Sequence, residues 1–246
     1  MPSAPSLEPQ PRSATAAFFA GVAAAWRSVL AYVLIGTYVG IAALAHDFGF
    51  SLWWVAASTV LVWAGPAQVI LISALGAGAM PVETALAVGL SSVRLLPMVV
   101  SLLPLIKTPQ TRCRELVLPA HLTAISMWIE SLRLLPGWPR ATRIPFANGL
   151  GVGFMLAAQA GTVIGFYLAA ALPPILTAGL LFLTPMSFLI STTRNCRLAS
   201  DWLALALGIG LGPVLAAWDV GLDLLWTGIV AGTVAYGVGR LRRVRP

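Results

Sequence analysis

The chain has 246 residues, of which 59% are hydrophobic and only 9% are charged. Soluble domains carry about 25% charged residues, so this composition excludes an ordinary water-facing surface and instead suits about six to eight membrane helices of ~20 residues. The net charge of +7 does not indicate nucleic-acid binding, because nearly all the basic residues fall in loops or at the ends, where they act as topology signals.

Apolar stretches of spanning length follow one another along most of the chain. Residues 1–15 are rich in Pro, Ser and Ala and are predicted to form a disordered tail with no cleavable signal peptide. One transmembrane domain is predicted over 16–240, and Arg27 marks the water boundary of its first stretch. The predicted spans are 28–46, 51–76 with an interruption at Gly65-Pro66, 83–106, 146–171, 175–193, 201–218 and 221–239.

Residues 117–135 are ambiguous. His121, Glu130 and Arg133 interrupt this apolar stretch, and basic residues flank it on both sides. We interpret it as an amphipathic helix that lies on, or dips into, the cytoplasmic face within a connector over 107–145. This interpretation gives about seven spans, and an eighth span at 117–135 is the alternative.

Arginine-rich segments set the predicted orientation. The connector, residues 194–200 and a basic tail at 241–246 are all expected in the cytoplasm. Counting spans back from the connector puts the N-terminus outside, although Arg12 and Arg27 favour the reverse. A re-entrant loop at Gly65-Pro66 would restore an N-terminus inside.

Both cysteines, Cys113 and Cys196, lie in arginine-rich loops that this topology places in the cytoplasm. Because the cytoplasm is reducing, free thiols are expected at both positions.

An internal repeat is suggested by two glycine motifs. Gly36-Thr37-Tyr38-Val39-Gly40 in the first span matches Gly161-Thr162-Val163-Ile164-Gly165 in the fourth. With three spans in each half (28–106 and 146–218), the halves would have opposite orientation, as in the inverted repeats of many secondary transporters. The alternative is that these glycines only allow helices to pack closely.

A proline lies at a similar place in the following span of each half. Pro66 is followed by Gln68, and Pro185 is followed by Ser187. A proline within a helix lacks an N–H and clashes with the preceding turn, so it frees backbone groups that must find partners in lipid. The pairs therefore predict broken helices beside a solute site, and simple kinks are the alternative.

Arg94 is the only ionisable side chain deep inside a predicted span, and no carboxylate is predicted at its depth. Arginine at a helix centre costs about 2.5–3.5 kcal/mol, which makes it a candidate functional residue. A guanidinium suits a carboxylate ligand, and the alternative is that Arg94 binds carbonyl groups freed at Pro66 or Pro185. The other candidate site residues are Gly36, Tyr38, Gly65, Ser91 and Ser92.

No catalytic or metal-binding motif is visible in the sequence. It shows no nucleophile–base set within the predicted spans, no HExxH and no phosphate-binding loop. We therefore expect neither an enzyme nor a bound cofactor.

These motifs resemble the AzlC family, also called YgaZ-like, of branched-chain amino acid exporters. Ala64, Gly65, Ala67 and Gln68 fit the family pattern Phe-Ala-Gly-Ser-Ala-Gln, and Arg94 fits the arginine of Asn-Leu-Arg-His. Ser92 and Leu95 replace the Asn and His of that second pattern. A family Leu-Thr-Asp-Glu pattern falls at 122–125, where both acids are missing.

The resemblance implies efflux of branched-chain amino acids through a bacterial inner membrane, together with a small hydrophobic subunit of the AzlD type. The expected fold is an all-α polytopic membrane protein with an inverted 3+3 repeat, proline-broken helices and one C-terminal span. An exporter of another small solute and a non-transporting membrane subunit are the alternatives. No carboxylate is predicted near the membrane centre, so coupling through Glu83, Glu130, backbone groups or the solute gradient alone stays open.

Overall fold

The computed structural model describes residues 13–171, 199–218 and 223–244, together with residues 173, 175–176, 178–180, 182, 186, 189, 193 and 196. The described residues form helices and no strand, as the composition predicts. The chain divides into two compact units, residues 1–184 and 185–246.

Nine α-helices are described in the first unit, with 3-10 turns at Leu135–Gly137, Arg140–Thr142 and Ala169–Ala171. The helices are α1 (Ala14–Arg27), α2 (Val29–Asp47), α3 (Leu52–Val62), α4 (Gly65–Gly76), α5 (Pro81–Ser92), α6 (Leu95–Ile106), α7 (Cys113–Leu122), α8 (Ile125–Leu134) and α9 (Arg143–Leu168).

Serine residues begin the first two helices. The Ser13 hydroxyl accepts from the Ala16 amide at 3.1 Å and caps α1, and Ser28 caps α2 in the same way through the Leu30 amide at 3.2 Å. Helix α1 therefore begins at Ala14, inside the predicted tail. The water boundary predicted at Arg27 coincides with the end of α1, and α2 matches the predicted span 28–46.

Helix α9 is the longest helix of this unit, and both α1 and α2 pack along it. Small residues recur at every fourth position of α9, and such stripes let helix backbones approach closely. They are Gly149, Gly153, Ala157, Gly161 and Gly165.

Three glycines of this stripe contact the backbone of a neighbouring helix. A Cβ added at Gly149 would overlap the Phe18 carbonyl of α1, and one at Gly161 or Gly165 would overlap the carbonyl of Ile35 or Val39 of α2. The two glycine motifs of the proposed repeat thus pack against each other, which supports the packing interpretation of these glycines. The core beside them holds Tyr38, Phe146 and Phe154, each nearly inaccessible.

Two predicted spans are each divided into shorter helices. Span 51–76 is interrupted, as predicted, but the break lies at Trp63-Ala64, and Gly65 and Pro66 form the first turn of α4. The predicted span 83–106 corresponds to α5 and α6, which meet at Val93-Arg94 with a bend of 45°.

The predicted connector contains two helices instead of one amphipathic helix. Helices α7 and α8 are separated at Thr123-Ala124, and both pack on α9. They bury Leu122, Met127 and Glu130, which are 1%, 0% and 7% exposed. Much of this segment therefore belongs to the core of the first unit.

Two helical segments among the described residues are long and apolar enough to cross a membrane. They are Val29–Asp47 and Arg140–Leu168, and the bent pair α5–α6 raises the number to three if it counts as one span. Helices α3 and α4 are apolar but, at 11 and 12 residues, too short to span alone. The number of seven spans and the inverted repeat stay predictions.

The described part of the second unit contains α10 (Ala199–Ala217) and α11 (Asp223–Val244), which pack against each other. They match the predicted spans 201–218 and 221–239, except that α11 continues to Val244, into the segment predicted to be a basic tail. Most of the predicted span 175–193 lies outside the described residues.

Candidate functional site

Three helix breaks border one cavity in the first unit. The breaks lie at Trp63-Ala64, Val93-Arg94 and Thr123-Ala124. The cavity has a volume of about 360 Å³, which is within the size range of small-molecule sites. Its lining consists of Leu61, Val62, Trp63, Val88, Ser92, Leu95, Ala120, His121 and Thr123.

Prolines explain two of the breaks. A proline ring clashes with the carbonyl four residues earlier and offers that carbonyl no N–H. Pro66 stands four residues after Val62, where α3 ends, and Pro97 stands four residues after Val93, where α5 gives way to α6. The Val93 carbonyl accepts instead from the Leu96 amide at 3.0 Å, which tightens the chain at the bend.

Trp63 fixes the end of α3. Its φ of +28° is the only positive φ of a non-glycine residue in the described part of the chain, a conformation that costs about 1–3 kcal/mol. Two contacts offset this cost. The indole Nε1 donates to the Leu122 carbonyl at 2.9 Å, and the ring stacks on Tyr38 with centroids 6.3 Å apart.

His121 makes the reverse connection, from α7 to α3. Its Nε2 lies 2.9 Å from the Val60 carbonyl, so the two groups form a hydrogen bond. Carbonyl groups in the last turn of a helix lack intrahelical partners. Trp63 and His121 thus each donate to a last-turn carbonyl of the other helix and tie the ends of α3 and α7 together.

Arg94 occupies the break between α5 and α6. Its side chain is exposed, and it makes no hydrogen bond or ion pair with any residue that the structure describes. The alternative in which it binds carbonyls near Pro66 is therefore not observed. Ser92 and Leu95, on either side of it, line the cavity.

The other predicted site residues differ in their relation to the cavity. Ser92 lines it and donates to the Val88 carbonyl at 2.8 Å, whereas Ser91 does not line it. Tyr38 lies behind Trp63 as its stacking partner, and the half-buried Gly36 is one turn before the Gly40 of its motif. Pro185 and Ser187 lie outside the described residues.

Gln68 is completely buried and does not line the cavity. Its Nε2 donates to the hydroxyls of Ser58 and Thr59 at 2.8 and 2.9 Å. Both hydroxyls donate to the Val55 carbonyl, so they must accept from Gln68, and this fixes the orientation of the amide. The amide ties α4 to α3, while its Oε1 has no partner among the described residues.

Sequence reasoning did not assign Trp63, His121 and Thr123 to the candidate site. Trp63 stands two residues before the recognised Gly65, and His121 is a polar residue in an apolar stretch, so both had a visible signal. These three side chains line one cavity because α7 ends at the break at Thr123-Ala124. No proline in the sequence predicts this break.

The described residues show no group of three or more His, Cys, Asp or Glu side chains that could hold a metal ion. Cys113 is exposed, Cys196 is half-buried, and both are free thiols, as predicted.

Two described helices long and apolar enough to cross a membrane, together with apolar interrupted helices that border a cavity, indicate a helical membrane protein. The family model of the AzlC protein matches residues 28–172, more than half of the chain, and the protein belongs to the AzlC family. This family is associated with branched-chain amino acid transport. No curated protein and no solved structure matches the chain.

Proposed function

We propose that this protein is a secondary transporter that exports branched-chain amino acids across the bacterial inner membrane. The observation that carries the proposal is the cavity bordered by three helix breaks, with Arg94, which pairs with none of the described residues, between two of its lining residues. Broken helices provide backbone groups for a polar solute, and an arginine without a carboxylate partner provides a ligand for an anion.

Groups around this cavity are complementary to both the α-carboxylate and the α-ammonium of an amino acid. In the proposal, the Arg94 guanidinium binds the α-carboxylate through paired N–H groups. The last-turn carbonyl groups of α3, on Leu61 and Val62, accept from the α-ammonium. The apolar side chain contacts Val88 and Leu95, so hydrophobic burial favours leucine, isoleucine and valine over polar amino acids.

We test the proposal by measuring efflux of labelled leucine, isoleucine and valine from preloaded bacterial cells. Cells with the protein should release them faster than cells without it. Arg94→Ala should abolish the difference at equal membrane abundance. Arg114→Ala, which removes an exposed arginine of α7, is the matched control and should export normally. Normal export by a folded Arg94→Ala protein would overturn the carboxylate assignment.

The family resemblance also supports a partner. We propose that a small hydrophobic membrane subunit of the AzlD type completes the exporter. If such a subunit is encoded nearby, it should co-purify with the chain in mild detergent and increase efflux when both are expressed. Flux through the purified chain alone would exclude the alternative of a non-transporting subunit.

A further inference from the structure

The cavity has one titratable lining residue in the described part of the chain, His121. A carbonyl oxygen can only accept, so Nε2, which contacts the Val60 carbonyl, carries the proton of the neutral ring. Nδ1 has no hydrogen-bond partner among the described residues, and the ring is exposed. A second proton can therefore bind Nδ1 while the bond to α3 stays intact.

The charges on the surrounding elements are few. Helices α3 and α4 have no titratable side chain. The groups on the other elements near α7 are Glu83 on α5, Arg94 at the α5–α6 break, Lys107 after α6, Arg112 before α7, Cys113, Arg114 and Glu115 on α7, Glu130 and Arg133 on α8, and Arg143 and Tyr167 on α9. Of these, only Arg94 is adjacent in sequence to a residue that lines the cavity.

The two carboxylates considered from the sequence are poorly placed for exchange with the cavity. Glu130 is buried, but its Oε1 accepts from the Ser28 hydroxyl at 2.7 Å, and its Oε2 pairs with Arg133 at 2.5 Å. Glu83 is exposed in the first turn of α5. Neither lines the cavity, so His121 is the better candidate for a coupling group.

We propose that His121 is the proton-coupling residue of this transporter and that the coupled ion is the proton, which rests on the function proposed above. The imidazolium would stand in the cavity that binds the α-ammonium of the solute, with Arg94 next to the lining residue Leu95. Two such cations in one small cavity repel each other, whereas a neutral imidazole admits the solute. Proton and solute then occupy the cavity alternately.

Because the proton and the solute exclude each other from the cavity, transport follows an antiport cycle in which the numbers of protons and solute molecules balance. On the outer side, Nδ1 binds a proton as the solute leaves. On the cytoplasmic side, a new solute binds as Nδ1 releases the proton to water. One proton enters for each amino acid exported, and the Nε2–Val60 hydrogen bond remains in both states. Imidazole suits this role because it changes charge between pH 5 and 8.

Leucine binding to the purified full-length protein in nanodiscs is the first test. We expect the affinity of the unmodified protein to be lower at pH 5.5 than at pH 8, because an imidazolium in the cavity repels the α-ammonium of leucine. His121→Gln keeps an amide donor for Val60 but cannot be protonated, so it should bind leucine equally at both pH values. His46→Gln, the matched control, should behave like the unmodified protein.

A permanently charged variant gives the converse result. His121→Lys retains a donor and a positive charge, so it should bind leucine weakly at both pH values. In proteoliposomes, His121→Gln should retain leucine–leucine exchange but lose accumulation driven by a pH gradient. Gradient-driven accumulation by His121→Gln would overturn the proposal.

A third measurement needs no substitution at His121. The chain has two histidines, so His46→Gln leaves one imidazole for NMR titration. Saturating leucine should lower the pH at which that imidazole titrates, and an identical titration with and without bound leucine would overturn the coupling role. Absence of leucine binding at any pH would instead count against the proposed function.

Discussion

At the scale of single residues, Trp63 combines a left-handed backbone with a side-chain bond to another helix. Trp63→Phe keeps an aromatic ring beside Tyr38 but removes the indole hydrogen bond to the Leu122 carbonyl, which still accepts from the Ala124 amide at 2.9 Å. Because one intramolecular hydrogen bond contributes about 0.5–1.5 kcal/mol, the unfolding temperature in detergent should fall. Trp53→Phe, at a position 83% exposed, is the control and should leave it unchanged. Equal unfolding temperatures would show that this bond adds no stability.

Gln68 was predicted to bind the solute, and its buried position on the α3–α4 contact favours a structural role. Gln68→Leu removes the hydrogen bonds of the amide to Ser58, Thr59 and the Val55 carbonyl, but it also removes an unpartnered buried oxygen, and the side-chain volumes are similar. These effects oppose each other, so the expected change in unfolding free energy is about 1 kcal/mol or less. Leucine affinity should be unchanged in a binding assay. A large loss of affinity in a folded Gln68→Leu protein would restore the original assignment.

At the scale of elements, the α2–α9 contact depends on the missing side chains of Gly161 and Gly165. Gly161→Ala would place a Cβ against the Ile35 carbonyl, and backbone cannot move aside as a side chain can. We expect a loss of about 1–3 kcal/mol in stability, measured as a lower unfolding temperature in detergent.

Gly89→Ala is the matched control for this contact. Gly89 lies within α5 and has nothing within 4 Å of its added Cβ. Alanine is favoured over glycine in a helix by about 0.5–1 kcal/mol, so this variant should be neutral or slightly more stable. If both variants lost stability equally, close packing at Gly161 could not be the cause.

The sequence was sufficient to predict some helices and one helix break, because hydropathy, charge and proline are local signals. Hydropathy and the position of Arg27 located α2, and an uninterrupted apolar stretch located α9. Pro66 predicted the break in span 51–76, and by the same rule Pro97 could have predicted the break beside Arg94. Proline alone is not a sufficient signal, however, since Pro104 and Pro119 lie inside α6 and α7 without ending them.

The candidate site was less accessible to sequence reasoning because it depends on contacts between distant segments. The bond from Trp63 joins residues 59 positions apart, and the bond from His121 joins residues 61 positions apart. No local pattern specifies which helix ends will meet. Arg94 was identifiable only because a charge is rare in an apolar stretch, and this rarity does not indicate which cavity lies beside it.

At the scale of the whole molecule, charge distribution and hydropathy together predict which loops share one side of the membrane. With about seven spans, two spans (146–171 and 175–193) separate Cys113 from Cys196, and both thiols should face the cytoplasm. If 117–135 were an eighth span, three spans would separate them, and they would lie on opposite sides. The two free thiols therefore report directly on the number of spans.

Each cysteine can be examined alone, because Cys113→Ser and Cys196→Ser each leave a single thiol in the chain. A membrane-impermeant maleimide should label neither variant in intact spheroplasts and should label both in inside-out vesicles. A permeant maleimide, applied to both preparations, controls for thiols that are inaccessible for other reasons. Labelling of Cys113 and Cys196 from opposite sides would establish an odd number of crossings between them and so exclude a surface connector. It would also contradict the predicted orientation, which assumes that both basic loops lie on the cytoplasmic side.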